Sequence, residues 1–566
     1  MTGIVATNIT SPLGFTTEEN YRAIRLGKSA LGRVDSWGDV PGRLCISQFS
    51  SQQWSAITIE GFTSFESMVI RSVREALTQV DVDLASSRTV FILSTTKGNV
   101  GELAPGPEAD GPYLGPGQTA WKIARHLGFT TEPLVVCNAC ISGIAAEILA
   151  DRLITSGAFD TAVVSGADSM TAFTLAGFTS FKALSPYPCR PFDIERLGLN
   201  LGEGAATVVM RKVAPSSSSW KLLRGCLDND AYHVSAPSPD GDGVFRVMAE
   251  CLEGVDREDL ATITAHGTAT MYNDQMESKA IEASGLGSVP VTAYKGCFGH
   301  TLGAAGIIES VITMRALDDG LVLPVAGFEE IGVSGRISVC DSLRESDRQS
   351  FLKIISGFGG CNGAAVFSRR PCLEEDAAPR CSSSVRHAVR ITPESASIDG
   401  RDVHVAERGK ALLTEVYKSS GLDGLQKFYK MDVFSRLAYL AAGLLLKEDG
   451  EEHACEQVSL LFFNSSGSIL QDRLHLRSFV GADGFYPSPA TFIYTLPNVV
   501  EGEIAMKYGV KGETTFIILR DKDPQLMERV ISSALPWMTT PRTIAGWVEC
   551  SAEDTFEAEL QLITKN

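Results

Sequence analysis

The chain has 566 residues, 44% hydrophobic and 21% charged, with 53 Gly and 24 Pro, which is the composition of a folded globular protein and excludes a disordered, collagenous or disulfide-scaffold chain. At about 150 residues per domain the length predicts three or four domain-sized units. The net charge of −18, from 50 Lys and Arg against 68 Asp and Glu, offers no broad attraction to nucleic acid or anionic lipid. The opening MTGIVATNITSPLG lacks the basic region and apolar run of a signal peptide. The longest apolar stretches, such as LAYLAAGLLL at 437–446, are about half a membrane span, so a cytoplasmic protein is expected. Thirteen scattered cysteines read as reduced thiols, and the single CxxC (Cys137 to Cys140) has no second ligand pair at zinc-finger spacing.

In chain order, ESMVIRSVREALTQV (66–80) has the spacing of an amphipathic helix, and VFILSTT (90–96) and TAVVSGA (161–167) read as buried strands. Between these strands, LVV (134–136) is a short strand and ISGIAAEILADRLITSG (141–157) is a helix apolar on most faces, hence buried. The alternation over 1–370 predicts an α/β layered fold. PCLEEDAAPRCSSS (371–384) is rich in Pro, Ser and acid without apolar period, and reads as a linker. Beyond it, VFSRLAYLAAGLLLKE (433–448) is helical, VSLLFFNSSG (458–467) is strand then turn, and TTFIILR (514–520) is another strand. The order helix, strand, polar turn, Gly/Pro-containing loop and helix occurs at 66–128 and again at 433–512, so one whole unit followed by about half of another is expected.

Cys140 stands where the strand 134–136 gives way to the buried helix. A thiol there faces the positive end of the helix dipole and free backbone N–H groups, which stabilise a thiolate or an oxyanion. Free cysteine is equally a common inert packing residue, so the position alone leaves both roles open. His266 in AHGTAT and His300 in KGCFGHTLGAAG stand in Gly-rich turns, each followed by a helical pattern carrying an acid, Glu277 and Glu309. Lys295 precedes His300 by five residues and reads either as half of a buried ion pair or as a solvated lysine.

Six ordered signatures, ITSPLG, NACISG, CRPFDIERLGLNLGEGAA, AHGTAT, KGCFGHTLGAAG and GFGGCNGAA, make residues 1–370 resemble the β-ketoacyl-acyl-carrier-protein synthases, the elongating Cys-His-His type of the thiolase-fold condensing enzymes. The resemblance implies a layered α-β-α-β-α fold, complete in 1–370. It implies Cys140 as the nucleophile, His266 and His300 as the pair acting on the malonyl extender, and Lys295 with Glu309 as a buried pair ordering the site. Thr268 and Thr270 match contacts to the pantetheine arm, Phe358 matches an aromatic gate and oxyanion donor, and Asp274 and Glu277 match acids of the following loop. It further implies acyl carrier protein and malonyl and acyl thioesters as partners, in fatty acid, polyketide or aryl-polyene-like synthesis. No metal, nucleotide, flavin or other cofactor is implied beyond the phosphopantetheine of the carrier. A homodimer, or a heterodimer with a ketosynthase-like partner, is expected. A thiolase acting on coenzyme A thioesters and a non-catalytic chain-length-factor-like partner are the alternatives. The chain departs from the family pattern at Cys361, where Thr is usual, and at TSFESM and GELAPGPEADGPYL.

Residues 385–566 resemble the N-terminal half of a second such fold. Counting twelve residues from Gly509, where relatives carry the nucleophile, lands on Asp521. No Cys or Ser stands between Glu513 and Ile531, and this half has no Gly-His motif. A non-catalytic packing or partner role is expected for it. A basic patch for an acidic carrier protein is expected near the site mouth, with Lys122 and Arg125 as candidates.

Overall fold

The computed structural model describes residues 1–104, 114–370, 381–422, 424, 426–450, 455–480 and 485–566. Of the expected linker 371–384, residues 371–380 lie outside the described residues, as does most of GELAPGPEADGPYL; Ser383 and Ser384 already belong to a strand.

The first half-unit comprises β1 (Thr2–Thr10), α1 (Ser64–Leu77), β2 (Thr89–Ser94), α2 (Pro116–Leu127), β3 (Leu134–Val136), α3 (Ser142–Thr155), β4 (Thr161–Asp168), α4 (Ala172–Ser180) and β5 (Gly204–Lys212). The apolar runs β2, β3 and β4 pair in parallel and are buried, as strands covered on both faces must be. The strand order is β3-β2-β4-β5-β1.

The second half-unit comprises β6 (Trp220–Asn229), α5 (Asp242–Cys251), β7 (Leu260–Thr264), α6 (Met271–Ala283), β8 (Pro290–Thr292), α7 (Ala305–Asp318), β9 (Ser338–Val339), β10 (Ser350–Ser356) and β11 (Cys361–Ser368). Setting aside the short edge strand β9, it repeats that order as β8-β7-β10-β11-β6. Helices α3 and α7, apolar on nearly all faces, lie side by side in the core. Their contact needs Gly306, where a Cβ would stand 2.8 Å from the backbone nitrogen of Ile144.

The third copy comprises β12 (Ser383–Ile391), α8 (Val433–Glu448), β13 (Val458–Asn464), α9 (Ile469–Arg477), α10 (Val499–Tyr508), β14 (Thr514–Ile518), α11 (Pro524–Ala534), β15 (Arg542–Ala552) and β16 (Thr555–Lys565). Its order, β14-β13-β15-β16-β12, is the same again. The repeat extends well beyond 433–512, because β12, β15 and β16 complete a five-stranded sheet. Helix α8 spans the residues that the sequence assigned to it.

The first and third sheets meet edge to edge: β3 pairs antiparallel with β14 through Val135 with Ile518 and Val136 with Ile517. Arg152 of α3 then donates two hydrogen bonds, of 2.7 and 2.8 Å, to Glu513, both side chains being 5% exposed. Among the described residues no helix is long and apolar enough to cross a membrane.

Removing one partner of a buried ion pair strands the other charge, so Arg152→Met should lower unfolding stability in a denaturant titration by about 3–5 kcal/mol, and Arg152→Met with Glu513→Leu should recover most of it. A loss below about 1 kcal/mol in the single variant, the range of an exposed pair, would show that the contact does not hold the halves together.

Candidate active site

Cys140 sits in a short 3₁₀ turn, Ala139–Ile141, between β3 and α3. Ala139 has φ +47°, a left-handed conformation disfavoured for a residue with a side chain, and the turn holds the thiol at the foot of the buried helix. Nε2 of His300 lies 3.1 Å from Cys140 Sγ. The His266 and His300 rings are 5.1 Å apart and nearly perpendicular. The three residues converge on a cavity of about 340 Å³ that Thr268, Thr270 and Phe358 also line.

The backbone N–H groups of Cys140 and Phe358, like the Lys295 ammonium, favour the thiolate. Burial outweighs them and pushes the thiol up to about 12. The backbone N–H of Leu302 donates to Nδ1 of His300 at 3.3 Å, so the neutral ring carries its proton on Nε2, facing the sulfur. Burial, and then the Lys295 ammonium, hold both imidazoles well below the ordinary histidine value, with Lys353 adding to the effect. The resting site is thus a thiol beside two neutral imidazoles.

Lys295 reaches Glu309 at 2.6 Å and the backbone carbonyl of His266 at 2.6 Å. Of its two readings, the buried pair is the one present. Glu277 of α6 accepts the N–H groups of His266 and Gly267 at 2.6 and 2.8 Å. Asp274 accepts those of Phe192 and Ala269. Thr268 and Thr270 share a 2.9 Å hydrogen bond. Donor atoms of Cys140, His266 and His300 lie within 4.8 Å of one another, but the two ammonium groups acting on these imidazoles oppose a dication there. The other described trio, His387, Asp399 and Glu448, is laced with Arg401. Lys122 is tied to buried Glu66, and Arg125 to Glu132 and the Phe129 carbonyl; neither lines the cavity.

Several contributing residues escaped the sequence reading. Lys353 of β10 shares Glu309 with Lys295, at 2.6 Å, and also bonds the carbonyl of Ile354. A lysine inside FLKIIS was the available signal, since a buried charge demands a partner. Asp168, at the end of β4, accepts bonds from Thr95, Thr96 and Gly303. Asn138 accepts from the N–H of Phe516 at 2.7 Å and donates to the Thr514 carbonyl at 2.8 Å, extending the β3–β14 pairing toward Cys140. Asn498 donates to the Phe358 carbonyl at 2.8 Å. No local pattern marks the last two, because their partners lie more than a hundred residues away.

Residues 66–215 match the family model for the N-terminal domain of β-ketoacyl synthase, and 222–329 match that for its C-terminal domain. The chain is 28% identical over 403 residues to the 3-oxoacyl-[acyl-carrier-protein] synthase 2 of Vibrio cholerae, covering 63% of this chain and 96% of that protein. The solved ishigamide ketosynthase/chain length factor superposes with a TM-score of 0.59 at 25% identity, over 65% of this chain and 98% of that one. The PfaC keto synthase-chain length factor superposes over 100% of this chain and 78% of that one, with a TM-score of 0.77 at 14% identity, which is a likeness of fold. Both domains of the β-ketoacyl synthase family are thus matched in order, across the two half-units that enclose the cavity.

Proposed function

We propose that the chain catalyses decarboxylative Claisen condensation, extending an acyl group held on Cys140 by two carbons from malonyl-acyl-carrier protein, in fatty acid or polyketide synthesis. The observation that carries this reading is the convergence of Cys140 Sγ, the Nε2 proton of His300 and the ring of His266 on one cavity. The name of the Vibrio relative supports a carrier-bound thioester as substrate. Residues 1–370 form the catalytic unit, 371–382 the linker and 383–566 a non-catalytic half that serves as a built-in partner.

In the first step Cys140 Sγ attacks the acyl thioester carbonyl. The oxyanion forms against the N–H groups of Cys140 and Phe358, the carrier's C–S bond breaks, and the thiol proton ends on the released pantetheine. In the second step the malonyl thioester loses CO₂ and the electrons of that C–C bond become an enolate, stabilised by N–H groups of His266 and His300. The enolate carbon attacks the Cys140 thioester and expels the sulfur, giving the β-ketoacyl thioester. Lys295, Glu309 and Lys353 hold the backbone that carries His266, while Thr268 and Thr270 meet the pantetheine arm. Neutral imidazoles suit this work because an N–H donor preorganised in a dry site stabilises the charge as it develops.

Cys140→Ala should abolish the acyl-enzyme in intact-mass spectra. Removing one oxyanion donor typically costs about 10²–10³ in rate, so His300→Ala should still acylate while CO₂ release coupled to condensation falls by about that factor. Condensation that persists in Cys140→Ala would refute the reading. Because both imidazoles titrate below the ordinary value of about 6.5, they stay neutral as pH falls through it. The rate of CO₂ release should therefore hold level from about pH 7.5 to about pH 6 and decline only below; an acid limb centred at or above about 6.5 would contradict the assignment.

A further inference from the structure

Cys140 also lines a second cavity, of about 20 Å³, which has neither His266 nor His300 in its lining. A single water occupies about 10–15 Å³ on this scale, so the space holds one or two groups of methyl size. The larger cavity carries His266, Thr268 and Thr270 and has to stay free for the malonyl arm. The acyl group on Cys140 therefore has only the small cavity to enter.

Part of this cavity's wall comes from the C-terminal half: Phe492 and Leu496 line it together with Cys140, Thr174 and Phe178. Phe492 is seated directly on Gly177, where a Cβ would stand 2.2 Å from the ring. Its ring packs on Phe178 at 5.6 Å and on His475 at 5.0 Å. A ring pressed against backbone on one side and aromatic rings on the others has no vacant rotamer to swing into. Lys97, which also lines the cavity, is bound to Asp472 at 2.8 Å and to the Thr495 carbonyl, and both charged side chains are buried. An apolar chain that pushed further would have to pry open this ion pair, at the cost of stranding a buried charge.

We infer that the acyl group accepted by Cys140 is short, acetyl or propionyl, and that Phe492 and Leu496 of the C-terminal half set this limit from within the same chain. The inference rests on the condensing-enzyme reading above. The loading step is the thioester exchange already described, and needs no other reactant.

The test uses the full chain with acetyl and octanoyl thioesters of a phosphopantetheinylated acyl carrier protein, and reads the rate of acyl-Cys140 formation by intact mass. One methylene against a packed wall discriminates by about tenfold or more, so acetyl should load at least about tenfold faster than octanoyl. Phe492→Ala, and separately the milder Leu496→Ala, should raise the octanoyl-to-acetyl ratio by at least about tenfold. Octanoyl loading as fast as acetyl in the unaltered chain would overturn the inference and leave the condensation reading intact. An unchanged ratio in both folded variants would overturn the role of Phe492 and Leu496. Absence of acylation by either thioester would overturn the condensation reading, and the inference with it.

Discussion

A sheet edge cannot be left unpaired in a protein interior, and β3 is such an edge. It is three residues long, ends four residues before Cys140, and carries backbone N–H and C=O groups with no partner inside the first half-unit on one side. The pairing with β14 satisfies them, and Asn138 continues it with side-chain bonds that imitate one more ladder step. The backbone that presents Cys140 is thereby held by the C-terminal half. The same half holds Phe358 through Asn498, and Lys97 through Asp472 and Thr495. The positions of the Cys140 thiol, of Phe358 and of the small cavity that both line depend on this contact between the halves.

Charge in the interior follows a second logic. Glu309 lies between Lys295 and Lys353, and both lysines act on two imidazoles already desolvated by burial. Protonating either ring would add charge to an already positive region. Glu277, also buried and raised to about 7, spends its oxygens on the backbone N–H groups around His266 and does not bond the ring. The site is thus built to donate N–H bonds without carrying imidazolium.

The C-terminal half keeps the architecture of a condensing half-unit while its surface has adapted to solitude. In the complete unit α7 of the second half-unit packs beside α3 over β1 and β5 of the first. In the third copy the corresponding ground beside α11 is crossed by Arg390 and Lys522, each bonded to Glu557 and Glu559. A partly exposed ion lattice covers sheet that the complete unit buries beneath a helix, with little demand for further apolar cover. What the half retains is the edge strand that pairs with β3.

Local chemistry carried much of this into the sequence. Apolar runs marked β2, β3, β4, β13 and β14, all-round apolarity marked α3 and α8 as buried, and Gly-rich turns singled out His266 and His300. Those signals are legible because strand and helix periodicity, and the conformational needs of a tight turn, are properties of a few consecutive residues. The repeat was visible only in its middle, since β12, β15 and β16 lack a contrast in period that would tie them to β1, β4 and β5. Asn498, Lys97 with Asp472, and Phe492 against Gly177 were settled by tertiary structure alone. Each works through a partner brought near by docking of the third sheet on the first, and the long-range geometry that decides such contacts leaves no trace in local sequence.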